Sequence, residues 1–261
     1  MPTTRQPALF IGHGSPMNTL EDNRYTRAWR SLGQQLPRPR AILAVSAHWY
    51  VSMLAVTAMA IPETIHDFGG FPQALFDFQY PAPGSPALAA RVQELLKPLS
   101  VTADHDWGLD HGTWSVLAHL FPAADIPVIQ ISIDRSQPPA FQYQLGQRLA
   151  PLRDEGVLII GSGNVVHNLG AINWSDSAAP HDWASRFERQ VKDRLLRREH
   201  AALIDYLRLD PEARLAVPTP EHYLPLLTII GTQQPDEGVH FPIEGINMSS
   251  LSMLAATIGD I

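Results

Sequence analysis

Four histidines in this sequence lie where an apolar segment begins or ends, and they are the residues best suited to chemistry. His13 follows an apolar run at 8–11, His48 follows one at 41–47, His167 follows one at 157–160, and His222 precedes another. In open α/β sheets, ligands gather beyond the carboxyl ends of the strands, so these imidazoles could converge on one metal ion. With no cysteine in the chain, a thiolate site is excluded, and Fe(II) or Zn(II) held by neutral imidazole is the natural candidate.

A second candidate is the pair Asp110–His111, which is flanked by Trp107 and Trp114. Asp110 could orient His111 as a general acid or base, with the two indole rings sheltering it. A hydrogen-bonded pair in the core fits the residues equally well. A single histidine is more often structural than functional, and several of the eleven present must be so.

Competing motifs lack their defining residues. The glycine-rich turns at 12–15 and 161–163 have neither the spaced glycines of a dinucleotide fingerprint nor the Gly-Lys-Ser/Thr of a phosphate loop. Neither Ser15 nor Ser162 lies in the Gly-x-Ser-x-Gly turn of a serine nucleophile. Thr219 followed by Pro220 predicts a helix start, which would put His222 in the first turn, where the helix dipole disfavours imidazolium.

Alternating strands and helices must position these residues. Apolar runs predict strands at 8–11, 41–47, 127–133 and 157–160, whereas amphipathic spacing predicts helices at 25–36, 86–96, 113–120, 139–152 and 183–204. A strand is possible at 51–59, and 251–258 fits strand or helix. Rich in proline, glycine and aromatic rings, 61–86 predicts an ordered loop over a pocket. The pattern indicates one α/β domain over 1–261, a three-layer α/β/α sandwich with a mostly parallel central sheet.

Composition narrows the range of partners. The net charge is −7 and the basic residues are scattered, which argues against a nucleic-acid surface. We see neither a secretory signal core nor an apolar stretch of membrane-spanning length, and we expect a cytoplasmic protein that is a monomer or small homo-oligomer.

Motifs along nearly the whole chain match one family. The matching segments are Gly12-His13-Gly14-Ser15-Pro16-Met17-Asn18, Ser46-Ala47-His48-Trp49, Thr64-Ile65-His66-Asp67-Phe68-Gly69-Gly70-Phe71-Pro72, Tyr80-Pro81-Ala82-Pro83-Gly84, Asp110-His111-Gly112, Gly163-Asn164-Val165-Val166-His167-Asn168 and Pro220-Glu221-His222-Tyr223-Leu224-Pro225. The chain resembles the class III extradiol ring-cleavage dioxygenases, the family of the protocatechuate 4,5-dioxygenase β subunit. Within that family it is most similar to the bacterial and plant members of the 4,5-DOPA type.

The resemblance implies a role for each candidate histidine. His13 and His48 would be metal ligands. Protocatechuate-type members take a glutamate as the third ligand, but here Glu221 and His222 are adjacent and would point about 100° apart on a helix. We favour His222, with Glu221 capping the helix or holding a neighbour. By the same resemblance, His167 would be the catalytic base or a fourth ligand in the resting state.

The implied reaction is the opening of a substituted catechol ring by O2 with Fe(II), although purified protein would often carry Zn(II). His111 would be a second acid or base, or a hydrogen-bond donor to substrate. No arginine or lysine lies near the four histidines in sequence, so we expect weak selectivity for a carboxylate tail. Two alternatives stay open: a zinc-dependent hydrolase or lyase, and a non-enzymatic binding protein that uses a similar pocket, as in the Memo proteins.

Overall fold

Ten strands form the framework of the computed structural model, which describes residues 5–175 and 178–261. In chain order they are β1 (Ala8–Gly12), β2 (Ala41–Val51), β3 (Ala55–Thr57), β4 (Thr102–Asp104), β5 (Val128–Asp134), β6 (Val157–Gly163), β7 (Val239–Ile243), β8 (Ile246–Asn247), β9 (Leu251–Ser252) and β10 (Ala255–Ile258). Eight of them make one sheet in the order β4-β3-β5-β2-β6-β1-β10-β7, and β8 pairs with β9.

The four central strands, β5, β2, β6 and β1, run parallel. They are the continuous apolar runs of the sequence, as expected for strands that are covered on both faces. At one flank β10 is antiparallel to β1 and β7 to β10, whereas at the other β3 is antiparallel to β5. The carboxyl ends of the central strands therefore meet at one edge of the sheet.

Within the described ranges, ten α-helices cover the two faces of the sheet. They are α1 (Arg24–Gln35), α2 (Gln73–Phe76), α3 (Pro86–Leu95), α4 (His111–Leu120), α5 (Pro139–Leu149), α6 (Pro151–Asp154), α7 (Asp182–Leu196), α8 (His200–Ile204), α9 (Ala213–Ala216) and α10 (Leu224–Gly231). Neighbouring residues of β1 enter different cores: Phe10 joins the α5, α7 and α10 side, and Leu9 joins the α1 and α4 side. The three-layer α/β/α prediction is confirmed.

The structure differs from the helices and strands predicted from the sequence in several places. The predicted helix at 183–204 is divided into α7 and α8, the region 251–258 forms β9 and β10, and the sequence did not indicate β4 or β7. The loop at 61–86 is ordered, and α2, a helix of four residues, is the one helix that lies wholly within it. Within the described residues, no helix has both the length and the apolar character to cross a membrane.

The predicted helix start at Thr219 is wrong. Instead of capping a helix, the Thr219 hydroxyl donates to the Glu221 carboxylate at 2.7 Å. The Pro220 carbonyl accepts the N–H groups of Tyr223 and Leu224, which closes a tight turn, and α10 begins only at Leu224. His222 therefore lies in the turn before the helix, and its environment cannot be derived from a first-turn position.

Candidate active site

A cavity of about 420 Å³ opens beyond the carboxyl ends of β1, β2 and β6. Five histidines line it: His13, His48, His111, His167 and His222. The structure therefore brings together all four histidines of the opening hypothesis and the histidine of the Asp110–His111 pair. Each of the five is held there by a local feature of the fold.

His13 is held where β1 ends. Its N–H continues the parallel ladder by donating to the Gly163 carbonyl at 3.2 Å, and its carbonyl accepts from Asn18 Nδ2 at 3.0 Å. The ring Nδ1 lies 3.0 Å from Ser162 Oγ. Because that hydroxyl donates its own proton to the Gly112 carbonyl, it accepts from His13, which places the imidazole proton on Nδ1.

His48 occupies a bulge in β2 rather than the end of a strand. Pairing with β5 passes from Val45↔Ile131 directly to Tyr50↔Ile133, so four residues of β2 stand opposite one of β5. The His48 N–H donates to Ser46 Oγ at 3.2 Å. The bulge turns the His48 ring into the cavity, with Nδ1 3.3 Å from Asp67 Oδ2.

His222 is positioned by the close approach of its turn to β6. The His222 carbonyl accepts the N–H of Asn164 at 2.8 Å, and a Cβ at Gly163 would lie only 2.1 Å from that carbonyl oxygen. Glycine is therefore required at 163 for this contact. Glu221 Oε1 lies 3.3 Å from His222 Nδ1, which places Glu221 in the predicted role of holding its neighbour.

The rings of His13, His48 and His222 form a nearly equilateral triangle. Their centroids are 5.0, 5.3 and 5.1 Å apart, and a ligand nitrogen from each lies within 4.8 Å of the others. We call these three residues the histidine triad. In each of them Nδ1 faces an acceptor outside the triangle, so Nε2 is the nitrogen left for the cavity.

The pKa values of all three rings favour their neutral forms. Burial, followed by the charges of the neighbouring histidines, lowers the pKa of His13 and His222 well below the usual range. Burial and the nearby His111 lower the pKa of His48 to about 3. Near neutral pH each ring therefore carries one proton on Nδ1 and a lone pair on Nε2.

These lone pairs fit a divalent metal ion. His13 Nε2 and His48 Nε2 are 3.1 Å apart, and with both protons on Nδ1 no hydrogen joins them. Two nitrogens that each lie about 2.1 Å from one ion are roughly 3.0–3.4 Å apart at the usual ligand angles. His222 Nε2 is buried and has no hydrogen-bond partner among the described residues. Ligand histidines typically have the other ring nitrogen held by a carboxylate or hydroxyl, as here.

His167 lies beside the triad. Its N–H donates to the Ala216 carbonyl, and its ring stacks on that of His222 with centroids 3.5 Å apart and planes 5° from parallel. One of its ring nitrogens lies within 4.8 Å of a Glu221 carboxylate oxygen and of a His222 ring nitrogen. Burial lowers the pKa of His167 to about 4, so it is neutral at pH 7. The placement suits a proton acceptor or a fourth ligand.

Asp67, and not Asp110, is the carboxylate beside His111. Asp67 Oδ1 accepts the His111 backbone N–H at 2.9 Å and lies 2.9 Å from its Nδ1. Burial disfavours the ionised carboxylate, but the hydrogen bond and charges of His111 and of His48 outweigh it and lower the pKa of Asp67 to about 2. The Asp110 carboxylate accepts hydrogen bonds from Ser46 and Gln130. The pairing of Asp110 with His111 that the sequence suggested is therefore wrong.

The cavity walls are largely apolar. Phe68 and Phe71 of the aromatic loop line one part, and Leu169, Ile172 and Trp174 line another. Trp174 is 77% exposed although it borders the cavity. Other aromatic residues of the loop pack away from it: Phe78 stacks on Trp114, and Tyr80 donates its hydroxyl to the Phe121 carbonyl.

Three functional candidates were missed from the sequence. Asp67 lies in a matching segment to which the sequence analysis assigned no role, and the ring of the neighbouring His66 donates to the Phe78 carbonyl at 3.0 Å. Ser162 was considered only as a nucleophile. Glu21 lines the cavity, yet it lies in an exposed polar stretch that carries no pattern. Of these three residues, only Asp67 had a signal in the sequence that could have found it, namely the family resemblance around 66–68.

Comparisons with known proteins agree with this geometry. The family model for the catalytic LigB subunit of aromatic ring-opening dioxygenase matches residues 7–259. The chain is 55% identical over 264 residues to the 4,5-DOPA dioxygenase extradiol of Escherichia coli K12, covering 99% of this chain and 97% of that protein. It is 42% identical to the protein of the same name from Beta vulgaris, with 85% of each chain covered.

A solved structure extends the likeness to the fold. The crystal structure of an uncharacterized protein from Escherichia coli K12 matches with a TM-score of 0.86 and 50% identity, covering 98% of this chain and 100% of that one. Enzymes of the LigB family use a metal, and the histidine triad provides residues that could hold one. The chain belongs to the LigB family of aromatic ring-opening dioxygenases and is an enzyme of the extradiol type.

Proposed function

We propose that this enzyme uses Fe(II) and O2 to open the ring of a substituted catechol of the 4,5-DOPA type, next to one hydroxyl group. The observation that carries the proposal is the convergence of three neutral imidazoles, with their Nε2 lone pairs directed into a cavity that has aromatic walls. The names of the relatives from Escherichia coli and Beta vulgaris support the choice of DOPA as the reference substrate.

His13, His48 and His222 would hold the metal, with His167 able to approach as a fourth ligand in the resting state. Fe(II) would supply a binding position for the catechol oxygens and for O2, together with the electron transfer that O2 activation requires. Zinc binds such nitrogen sites more tightly than Fe(II), so aerobically purified protein should often contain Zn(II).

The remaining residues would move protons and exclude water. His167 is neutral at pH 7 and would accept a phenolic proton from the bound catechol at its ring nitrogen. His111, whose Nδ1 faces Asp67, would hold the substrate by a hydrogen bond or donate a proton as the ring opens. Phe68 and Phe71 would contact the flat ring and keep water from it.

The pocket offers little to hold a carboxylate tail. None of the described residues lining it is arginine or lysine. We therefore expect broad activity on para-substituted catechols, with KM toward the upper end of the usual range, about 1 mM. We further propose that 1–261 is a single catalytic domain, active in the cytoplasm as a monomer or small homo-oligomer.

A substrate panel with metal analysis tests the proposal. Protein reconstituted anaerobically with Fe(II) would be mixed with O2 and with DOPA, dopamine, caffeate, protocatechuate or catechol, while oxygen uptake and the product spectrum are recorded. We expect yellow ring-opened semialdehydes only from the iron-loaded sample. Full activity in a zinc-only sample would contradict the assignment of Fe(II).

A further inference from the structure

The cavity has one carboxylate on its wall that the proposed chemistry does not use. Glu21 lines the same cavity as the histidine triad, but it lies in the loop between the short 3-10 helix Pro16–Thr19 and α1. It is exposed and has no ion-pair partner among the described residues. A carboxylate at this position is available to a ligand.

The nearby cations are engaged elsewhere. Arg27 and Arg30 both pair with Asp22, at 2.9 and 2.5 Å. Arg24 donates to the Tyr25 hydroxyl at 2.6 Å and lies over the Tyr25 ring. Glu21 therefore keeps its negative charge uncompensated at the cavity, where none of the described lining residues is arginine or lysine.

A chain of hydrogen bonds fixes the Glu21 carboxylate relative to the histidine triad. Asn18 Nδ2 donates to the His13 carbonyl at 3.0 Å, and Asn23 Nδ2 donates to Asn18 Oδ1 at 2.8 Å. The same Asn23 nitrogen lies 3.2 Å from Glu21 Oε2. The Asn18 end of this connection is buried, since Asn18 is 2% exposed, whereas the bond from Asn23 to Glu21 is exposed and leaves Glu21 Oε1 available to a ligand.

Both backbone polar groups of Glu21 also form hydrogen bonds. Its N–H donates to the Met17 carbonyl at 3.2 Å, and its carbonyl accepts from Thr26 Oγ1 at 3.0 Å. The carboxylate is thus positioned in advance of binding, which lowers the ordering cost of an interaction with a ligand.

We propose that Glu21 is a specificity-determining residue that binds the ammonium group of an amine-bearing catechol through Oε1. The pocket would consequently prefer catechols with a cationic tail, accept zwitterions such as DOPA through their amine end, and disfavour catechols with a purely anionic tail. This inference rests on the proposed function, because it assumes that a catechol occupies the cavity.

The test compares ligands that differ mainly in tail charge. Dissociation constants for dopamine (cation), 4-ethylcatechol (neutral) and dihydrocaffeate (anion) would be measured by calorimetry on metal-loaded protein without O2. In Glu21→Gln the amide oxygen still accepts from Asn23, but the charge is gone. The dissociation constant of dopamine relative to 4-ethylcatechol should rise about 2- to 5-fold, the usual value of an exposed ion pair.

Further variants separate charge from shape. Glu21→Lys should raise that ratio further and improve binding of the anionic catechol, and both effects should weaken at high salt. Glu63→Gln, at an exposed carboxylate outside the cavity lining, should leave the ratio at the wild-type value. An unchanged ratio in Glu21→Gln, or tighter wild-type binding of the anionic than of the cationic catechol, would overturn the inference.

The outcome for Glu21 is distinguishable from that for the proposed function. Cleavage of 4-ethylcatechol by iron-loaded wild-type protein decides whether the enzyme opens catechol rings at all. The ratio of dissociation constants decides whether Glu21 selects among them. Failure of every catechol to bind would overturn both proposals, whereas cleavage without charge selectivity would overturn only the role of Glu21.

Discussion

Replacing Asp67 by asparagine is expected to weaken metal binding without removing any proposed ligand. Asp67 contacts two imidazoles: Oδ1 lies 2.9 Å from His111 Nδ1, and Oδ2 lies 3.3 Å from His48 Nδ1. Asparagine keeps one acceptor oxygen but presents an N–H to His48 in place of the other. Two donors would then face each other, and the His48 proton would no longer be held on Nδ1.

The expected size of the effect follows from that geometry. If His48 moves its proton to Nε2, or turns away from the new amide group, the lone pair that faces His13 Nε2 at 3.1 Å is lost from the site. Changes of this kind beside ligand histidines typically reduce metal affinity or activity about 10- to 100-fold. A tenfold loss corresponds to about 1.4 kcal/mol.

Competition with a chromophoric chelator at pH 7 measures this affinity directly. Asp106→Asn, at an exposed aspartate outside the cavity lining, is the matched control and should bind metal as the wild type does. Thermal melts recorded by circular dichroism would confirm that each variant is folded. Wild-type affinity in a folded Asp67→Asn protein would refute the assignment of Asp67 as the residue that orients His48.

Three further predictions concern the site. His167→Ala should retain metal but lose ring cleavage by roughly 10²- to 10⁴-fold, whereas His13→Ala should lose the metal; equal metal loss would make His167 a full ligand. In Gly112→Ala the new Cβ would lie 2.5 Å from Ser46 Oγ and 2.8 Å from His48 Cδ2, so chelator competition should show weaker metal binding, and unchanged affinity would count against the assigned position of His48. Folding lowers the pKa of His48 from 6.5 to about 3 and that of His167 from 6.5 to about 4. Between these folded-state values and pH 6.5, the unfolded metal-free chain therefore binds more protons than the folded chain. Its free energy of unfolding should therefore rise from about pH 4 to pH 6.5 by about 1.4 kcal/mol per pH unit for each proton, and urea melts that do not change with pH would contradict this.

The central strands and the family could be predicted from the sequence because their signals are local. The apolar runs that became β1, β2 and β6 mark strands buried on both faces. The edge strand β4 has mostly exposed residues, and β7 alternates exposed and partly buried positions around a proline. Neither segment therefore carries the apolar run that identified the others.

The partners within the site could not be predicted, because they depend on contacts between distant segments. Asp67 reaches His111 across 44 positions of sequence, and Ser162 reaches His13 across 149. On sequence alone the adjacent Asp110 was the natural partner for His111, but its buried carboxylate accepts hydrogen bonds from Ser46 and Gln130 instead. The start of α10 was misplaced because a threonine hydroxyl can either accept a backbone N–H at a helix start or donate to a carboxylate. Here the position of Glu221 makes the Thr219 hydroxyl a donor.

The most direct test of the central claim is oxygen uptake by protein loaded with Fe(II), measured against the same preparation loaded only with Zn(II), with DOPA as substrate and metal content determined in both. If the histidine triad holds a catalytic iron, the iron-loaded protein should consume one O2 for each catechol opened and give a ring-opened semialdehyde, and the zinc-loaded protein should do neither. Iron confirmed at one ion per chain with no catechol cleaved, or equal cleavage by the zinc-loaded protein, would contradict the account.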